Sequence, residues 1–469
     1  MAQGKQAERK LTPEEKLQRA LIPAEEQPYE VPENWCWVRL SALSRIISKG
    51  TTPTGGKDAY VSAGVNFVRV ENLNDDGTIS HEHIAHIAES IHTGFLKRSI
   101  LQENDVLISI AGTLGKTGIV RNIDLPLNTN QALAFVRILS QNLSAKYIKN
   151  VIDSTIIQQI LLEKTKVTSI PNLTLEIIGN CPIPLPPLPE QHRIVARIES
   201  LFAKLDEAKE KAQTVVDGFE LRKSAILHKA FTGQLTARWR KEHGVGLDSW
   251  GHSPWGNFII SIEAGKNWSA EGRPPKDSEF GVVKVSAVTW GEFNELESKT
   301  CTSDDQWNEK TQIRTGDFLF SRANTLELVG NCVIVKTVSK RLMLSDKILR
   351  LCFDKSILPE YILYFTRSAL YRGQVKQLAS GNQDGMRNIS QKNMKLVKFP
   401  IPLLREQEEI VRILDTIFAK EQQAKEAAEA VLDQIDTMKK AILARAFRGE
   451  LGTNDPTENW AKNLIKTVL

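Results

Sequence analysis

Apolar positions along the chain follow two different rhythms. Ile194, Ile198, Leu201, Leu205, Ala208, Ala212, Val215 and Phe219 recur alternately four and three residues apart, the heptad seam of a long helix that packs against another. A second run carries the rhythm through Ile410, Leu414, Ile417, Ala424, Ala428, Val431, Ile435, Met438 and Ile442, interrupted by Glu421. Prolines precede each run and Gly233 or Gly449 closes it, which supplies a start and a stop. About 40 helical residues at roughly 1.5 Å each make a rod on the order of 60 Å long. Ahead of each rod the rhythm changes to short β-rich runs broken by Asn, Asp and Gly, such as VNFVRVENLNDDGTI (65–79) and FGVVKVSAVTWGEF (280–293). These predict mixed α/β globules with substantial sheet. The layout is globule, rod, globule, rod.

The halves are related. PIPLPPLPEQHRIV at 182 and PIPLLREQEEIV at 400 open segments that keep a constant offset of 216 from Glu190 and Glu406 onward. Phe202-Ala203-Lys204 falls on Phe418-Ala419-Lys420, Ala225-Ile226-Leu227 on Ala441-Ile442-Leu443, and Phe231 and Gly233 on Phe447 and Gly449. The globules repeat more loosely: LQENDVLISI (101–110) resembles IRTGDFLFSR (313–322), and SAKYIKNVIDS (144–154) resembles LPEYILYFTRS (358–368). Duplication is the economical account. Matching seams predict that the rods pair within one chain, with a zipper between two copies of the chain as the alternative. Similar rods bearing dissimilar globules suit recognition of a bipartite, asymmetric target. A scaffold would account for the rods but gives less reason for two different heads.

Composition narrows the classes. At 469 residues the chain exceeds one ordinary core, and 41% apolar with 25% charged residues is ordinary for a folded protein. The net charge of +5 permits a nucleic-acid face without demanding one. Cys36, Cys181, Cys301, Cys332 and Cys352 form no C-x-x-C pair, which argues against a zinc site or disulfide framework and fits a reducing cytoplasm. Neither a secretory signal nor a membrane-spanning run is expected. Thr12, Pro13 and Glu15 make a capping box for a short helix, stopped by Pro23 and expected to be an appendage.

ISIAGTLGKTGIV (108–120) imitates a phosphate-binding loop. A glycine would be needed five residues before Gly115, where Ile110 stands, and the segment beyond is β-like instead of helical. The matching place in the second globule is NTLELVGNCVIV, so Gly115 pairs with Gly330 but Lys116 with Asn331. A strand-to-strand turn and a DNA-facing loop are the two remaining readings.

The order of parts, the rod openings (PIPLPPLPEQ…LFAKLD and PIPLLREQEEIV…FAK) and the rod closings (AILHKAFTGQLTARWR and AILARAFRGEL) resemble the specificity subunits of type I restriction-modification systems. The resemblance extends from residue 30 to 451 and includes VPENWCWVRLSALSRI. It implies an α/β (α+β) fold with two mixed target-recognition domains, each followed by a conserved helix, the helices forming an antiparallel coiled coil with pseudo-twofold symmetry. The implied segments are an N-terminal extension (1–30), head one (31–181), rod one (182–240), head two (241–399), rod two (400–452) and a C-terminal tail (453–469). It further implies a non-catalytic chain whose heads each read half of a split site on double-stranded DNA. The implied protein partners are two adenine-N6 modification subunits and restriction subunits that translocate and cut. S-adenosylmethionine, ATP and Mg are expected in those partners, with no cofactor or metal in this chain.

The residues agree with a non-catalytic reading: no Asn/Asp-Pro-Pro-Tyr/Phe motif, H-E-x-x-H, nucleophile elbow or Rossmann fingerprint occurs. Loops that combine cations with Asn, Gln, Ser and Thr are the candidate DNA contacts. Head one offers Lys49, Thr51, Lys57, Arg69, Asn72 and Lys116; head two offers Lys266, Arg273, Lys284, Arg322, Asn324, Asn331, Asn382, Gln383 and Arg387. Arg69 and Lys284 sit between valines in β-like runs, where alternation directs a cation to one side of a sheet, toward DNA or solvent. Phe231 and Phe447, at the rod ends, are candidates for partner-subunit contact or for core packing.

Overall fold

The computed structural model describes residues 12–55, 59–140, 142–165, 172–383 and 386–468. The chain forms two compact units, one of residues 1–212 with 430–469 and one of residues 213–429. The division falls inside both rods.

Each unit repeats one plan. In the first, a four-stranded antiparallel sheet has the order Ser44–Lys49, Leu133–Ile138, Val106–Ser109, Thr117–Ile119. A second sheet contains Tyr60–Val61, Ala85–Ile87, Val65–Val68 and Leu127–Thr129, its last pair parallel. In the second unit the corresponding sheets are Ile259–Ala264, Ile348–Phe353, Phe318–Ser321, Cys332–Ile334, and Ala270–Glu271, Ser298–Cys301, Phe280–Val283, Arg341–Met343, again ending in a parallel pair. Burial explains the strands: Val106 to Ser109 and Phe318 to Ser321 are buried throughout, as expected for strands covered on both faces. Just before the central strand of each first sheet an aspartate is tied to an arginine of the neighbouring strand, the buried Asp105 to Arg137 at 2.8 and 2.7 Å and the partly buried Asp317 to Arg350 at 2.9 Å.

The proline-rich rod openings are strands. Pro182–Leu185 pairs antiparallel with Cys36–Arg39, and Lys398–Ile401 with Gly251–Pro254. Tyr147 donates from its hydroxyl to the Pro184 carbonyl at 2.6 Å, and Tyr361 to that of Pro400 at 2.9 Å. The repeated Glu-Gln pair then has a structural use. Gln191 donates to the Pro186 carbonyl and accepts from the Ser144 amide; Gln407 donates to the Pro402 carbonyl and accepts from the Leu358 amide. Each glutamine therefore fixes a rod to the head it follows.

The long helices are Leu188–Asp217, continued by Phe219–Phe231, and Leu404–Ala446. Within the first unit Ile194, Val195 and Ile198 share a core with Leu443, Ala446 and Phe447, while Lys439 bonds Asp206 at 2.6 Å and lies over the Phe202 ring. Within the second, Leu227, Ala230 and Phe231 share a core with Ile410 and Leu414, and Arg222 bonds Glu421 at 2.8 Å. The helix segments are antiparallel in both units. The seam departs from its predicted course, because Ala424, Val431 and Met438 are exposed. Glu421, expected to interrupt the seam, belongs to it through Arg222, and Lys425 lies 5.0 Å from the Phe219 ring centroid. Long cations cover apolar surface with their stems and keep their charge at the rim. Gly218 makes room for Arg222, whose Nη1 would lie 2.4 Å from an added Cβ.

Burial bears on three of these expectations. Phe447 is 1% exposed against Tyr147, and Phe231 is 3% exposed against Tyr361 and Phe365, so both rod-end phenylalanines pack in the cores, the second of the two readings open for them. The capping box of Pro13–Ala20 is present, but the helix is no appendage: Ala20 is buried in the first unit's core, with Leu17 and Leu21 against it. The tail contributes a helix, Ala461–Val468, that buries Ala461 and Ile465 in the same core. No described helix is long and apolar enough to cross a membrane.

Candidate nucleic-acid interface

The described candidate residues lie on strand ends, on turns and, in the second unit, on a small separate sheet. In the first unit Lys49 ends its strand and is exposed, without a side-chain partner among the described residues. Gly50 follows, where a Cβ would come within 2.2 Å of the Thr129 and Asn130 carbonyls. Glycine permits that crossing. The Thr51 amide then donates to the Thr129 carbonyl, and its hydroxyl accepts from Arg98 at 3.3 Å. The second unit repeats the crossing at Gly265, against the Leu344 carbonyl, and places Lys266 next, exposed and 5.6 Å from the Trp268 ring centroid. Lys57 lies outside the described residues.

Arg69 and Lys284 occupy matched positions, but not in strands. The strands end at Val68 and Val283, and each cation opens a 3-10 turn, Val70–Asn72 or Val285–Val288. The alternation expected around them therefore does not apply. Arg69 lies over the Tyr60 ring and 3.5 Å from Glu71, and Lys284 is 3.8 Å from Glu297. Asn72 is 4% exposed and accepts the Arg69 amide, so it closes its own turn and is corrected from contact to cap. Arg273 is held by both oxygens of Glu279 at 2.7 Å and by Glu271 at 2.9 Å, and the guanidinium pulls the Glu279 carboxyl down to about 2. Its charge is already matched.

The phosphate-loop imitation is strand, turn, strand. Gly115 and Gly330 have φ of 79° and 81°, and their amides donate to the Ser109 and Ser321 carbonyls at 2.9 and 2.7 Å. The same turn occurs twice with different side chains upon it. In the first unit Lys116 reaches Asp75 at 3.0 Å. In the second Asn331 donates to the Thr289 carbonyl at 2.8 Å and Asn324 to the Thr289 hydroxyl at 3.3 Å.

One group of candidates converges. A small sheet of Ala323–Asn324, Met386–Asn388 and Ser380–Gln383 is present in the second unit. It brings Asn324 opposite Arg387 and carries Asn382 and Gln383 on its outer strand, while the Arg322 carbonyl accepts the Ile389 amide at 2.9 Å. The Arg322 side chain has no partner among the described residues. In the first unit the Ile110 carbonyl accepts the Leu173 amide in the same way, and 166–171 lie outside the described residues. Sequence reasoning missed the residues that hold these loops. Arg372 donates to the carbonyls of Leu326, Glu327 and Val329, and Arg367 to that of Gly291; nothing in their sequence positions signalled it.

The geometry defines a two-headed protein in which a common frame presents dissimilar polar loops. A family profile described as the type I restriction modification DNA specificity domain matches residues 32–215 and 276–430, and the chain belongs to that family. It is 29% identical to the EcoKI specificity subunit of Escherichia coli K12 over 282 residues, 59% of either chain. It is 31% identical to the EcoBI subunit of Escherichia coli over 216 residues, 45% of this chain and 44% of that one. Those matches therefore span less than two thirds of these relatives. The MjaVIII subunit of Methanocaldococcus jannaschii aligns over 90% of this chain and 94% of its own, at 25% identity. The crystal structure of the HsdS subunit from Thermoanaerobacter tengcongensis superposes with a TM-score of 0.63 and 21% identity, covering 91% of this chain and all of that one.

Proposed function

We propose that this chain is the DNA-reading specificity subunit of a type I restriction-modification complex, each head reading one half of a bipartite site and the paired rods setting the distance between halves. The observation that carries the reading is the repetition of one frame with different loop residues: Lys116 and Asp75 in one head where Asn331, Asn324 and Thr289 stand in the other. A shared frame needs no such divergence, whereas two different half-sites do. Lys49, Lys266 and Arg322 are the candidates for phosphate or base contact, with Asn324 and Arg387 beside Arg322 on one small sheet. The DNA is double-stranded. Two modification subunits carry S-adenosylmethionine and methylate adenine, and restriction subunits use ATP and Mg. A scaffold without sequence preference is the competing account.

The test is methyl transfer. The purified chain alone transfers no methyl group, and adding the modification subunit yields adenine methylation at one bipartite sequence. Activity of the lone chain, or methylation without sequence preference, overturns the proposal.

A further inference from the structure

Trp290 is an exception to the burial of large aromatic side chains. Its relative exposure is 76%, the same as Leu221 and Ile123 and well above Phe95, and it has no ring or cation partner among the described residues. The residues on either side of it are nevertheless anchored. Thr289 on one side is buried and accepts from Asn331 through its carbonyl and from Asn324 through its hydroxyl. Gly291 on the other side has a φ of 90° and accepts from Arg367 at 2.9 Å. A large ring is thus kept in water between two anchored residues, which forgoes the roughly 1.5–3 kcal/mol that burial of a large apolar side chain usually contributes.

The surroundings select the occupant. Asn324 touches the residue before Trp290 and stands opposite Arg387, with Arg322 two positions away on the same strand end. Arg367 adds a third cation at Gly291, while the nearby Glu292 is paired with Lys336 at 2.9 Å. An exposed apolar ring whose neighbours in the chain are bonded by amide and arginine side chains matches a duplex, where apolar groups meet thymine methyls or wedge between base steps while cations meet phosphates. In head one the corresponding turn carries Asp75, which reaches Lys116 instead.

We propose that Trp290 is a specificity-determining DNA contact of the second head, its ring packing against bases of that head's half-site while Arg322 and Asn324 engage the adjoining backbone or base edge. This rests on the DNA-reading function proposed above, and the experiment separates the two. The full chain, assembled with its modification subunit, first selects duplexes from a random-sequence library. W290A and W290F assemblies are then compared with wild type on the selected duplex and on an unrelated duplex of equal length.

W290A is expected to weaken binding to the selected duplex about tenfold or more, to change binding to the unrelated duplex far less, and to lose sequence information in one half-site only. W290F recovers most of the affinity. Equal binding by W290A and wild type overturns the role of Trp290 while leaving the function intact. Weaker assembly with the modification subunit, with DNA binding per assembled complex unchanged, assigns the ring to a protein interface and also overturns it. Failure of the wild-type assembly to select any sequence overturns the function and this proposal together.

Discussion

Glu190 and Glu406 are the same residue twice, the first glutamate of each rod, and both are fully buried. Each accepts an indole N–H, Glu190 from Trp35 at 2.8 Å and Glu406 from Trp250 at 2.9 Å. Beyond that they differ. Glu406 also accepts from Arg240 and from Thr236, both at 2.6 Å, and the buried guanidinium donates further to Thr236 and the Gly233 carbonyl. At the 216-residue offset Thr236 and Arg240 become Gly452 and Pro456. Glu190 therefore has no buried cation, and its Oε1 is buried without a hydrogen-bond partner among the described residues. Arg193, one turn along, is committed to both oxygens of Glu458 and to the Thr453 carbonyl. Burial pushes the Glu190 carboxyl up to about 7 against the lowering influence of Trp35 and Arg193. A duplicated frame can thus keep a buried acid in two ways, by pairing it or by protonating it.

The largest effect should come from breaking the paired version. Arg240→Met leaves Glu406 buried with only neutral donors, and removing one partner of a buried ion pair typically costs about 3–5 kcal/mol. Hydrogen exchange at the helix Pro359–Thr366, which packs on the same core, should report that loss in the second unit and little change in the first. A loss below about 1 kcal/mol would mean that Thr236 and Trp250 suffice to hold the carboxylate.

The protonated version should be visible in pH dependence. A carboxyl near 7 when folded and about 4.3 when unfolded binds its proton more tightly in the folded state. Its contribution is therefore fully present below about pH 4.3 and is lost as pH rises through 7. The expected loss between pH 5 and 8 is up to about 3 kcal/mol, read as falling amide protection around Tyr147. Glu190→Gln keeps the neutral form at every pH, so its profile should be flatter over that window. An unchanged slope in the variant would assign the effect to other groups.

Much of the frame was legible because duplication made the sequence its own comparison. The 216-residue register located the rods and the repeated Glu-Gln pair, and the looser repeat of the heads matched Gly115 with Gly330. Chain order misled where a core is completed by distant segments. Phe231 ends rod one but packs on Tyr361, and Phe447 ends rod two but packs on Tyr147; hydrophobicity alone cannot say which core a phenylalanine enters. Arg69 and Lys284 were placed in strands because Val-x-Val reads as alternation, whereas the backbone had already turned. The loops were legible as polar but not as clamped, since Arg372 and Arg367 act through carbonyls that any sequence supplies.

The rods offer the finest contrast, because a cross-helix ion pair at the seam of each unit, Arg222 with Glu421 and Lys439 with Asp206, differs in setting. Arg222 bonds Glu421 with side chains 37% and 23% exposed, and its guanidinium also donates to the Val215 carbonyl at 2.9 Å. Lys439 bonds Asp206, whose side chain is 57% exposed. A guanidinium held at two points loses less freedom on pairing than a lysine ammonium. Double-mutant cycles to alanine should therefore give a coupling of about 1 kcal/mol for Arg222 with Glu421 and about 0.3 kcal/mol for Lys439 with Asp206. Raising the salt concentration should shrink the second value more than the first, since exposed charges are screened more completely. Equal couplings would mean that the charged seam of both rods is solvated alike, and that Gly218 leaves room for Arg222 without strengthening its pair.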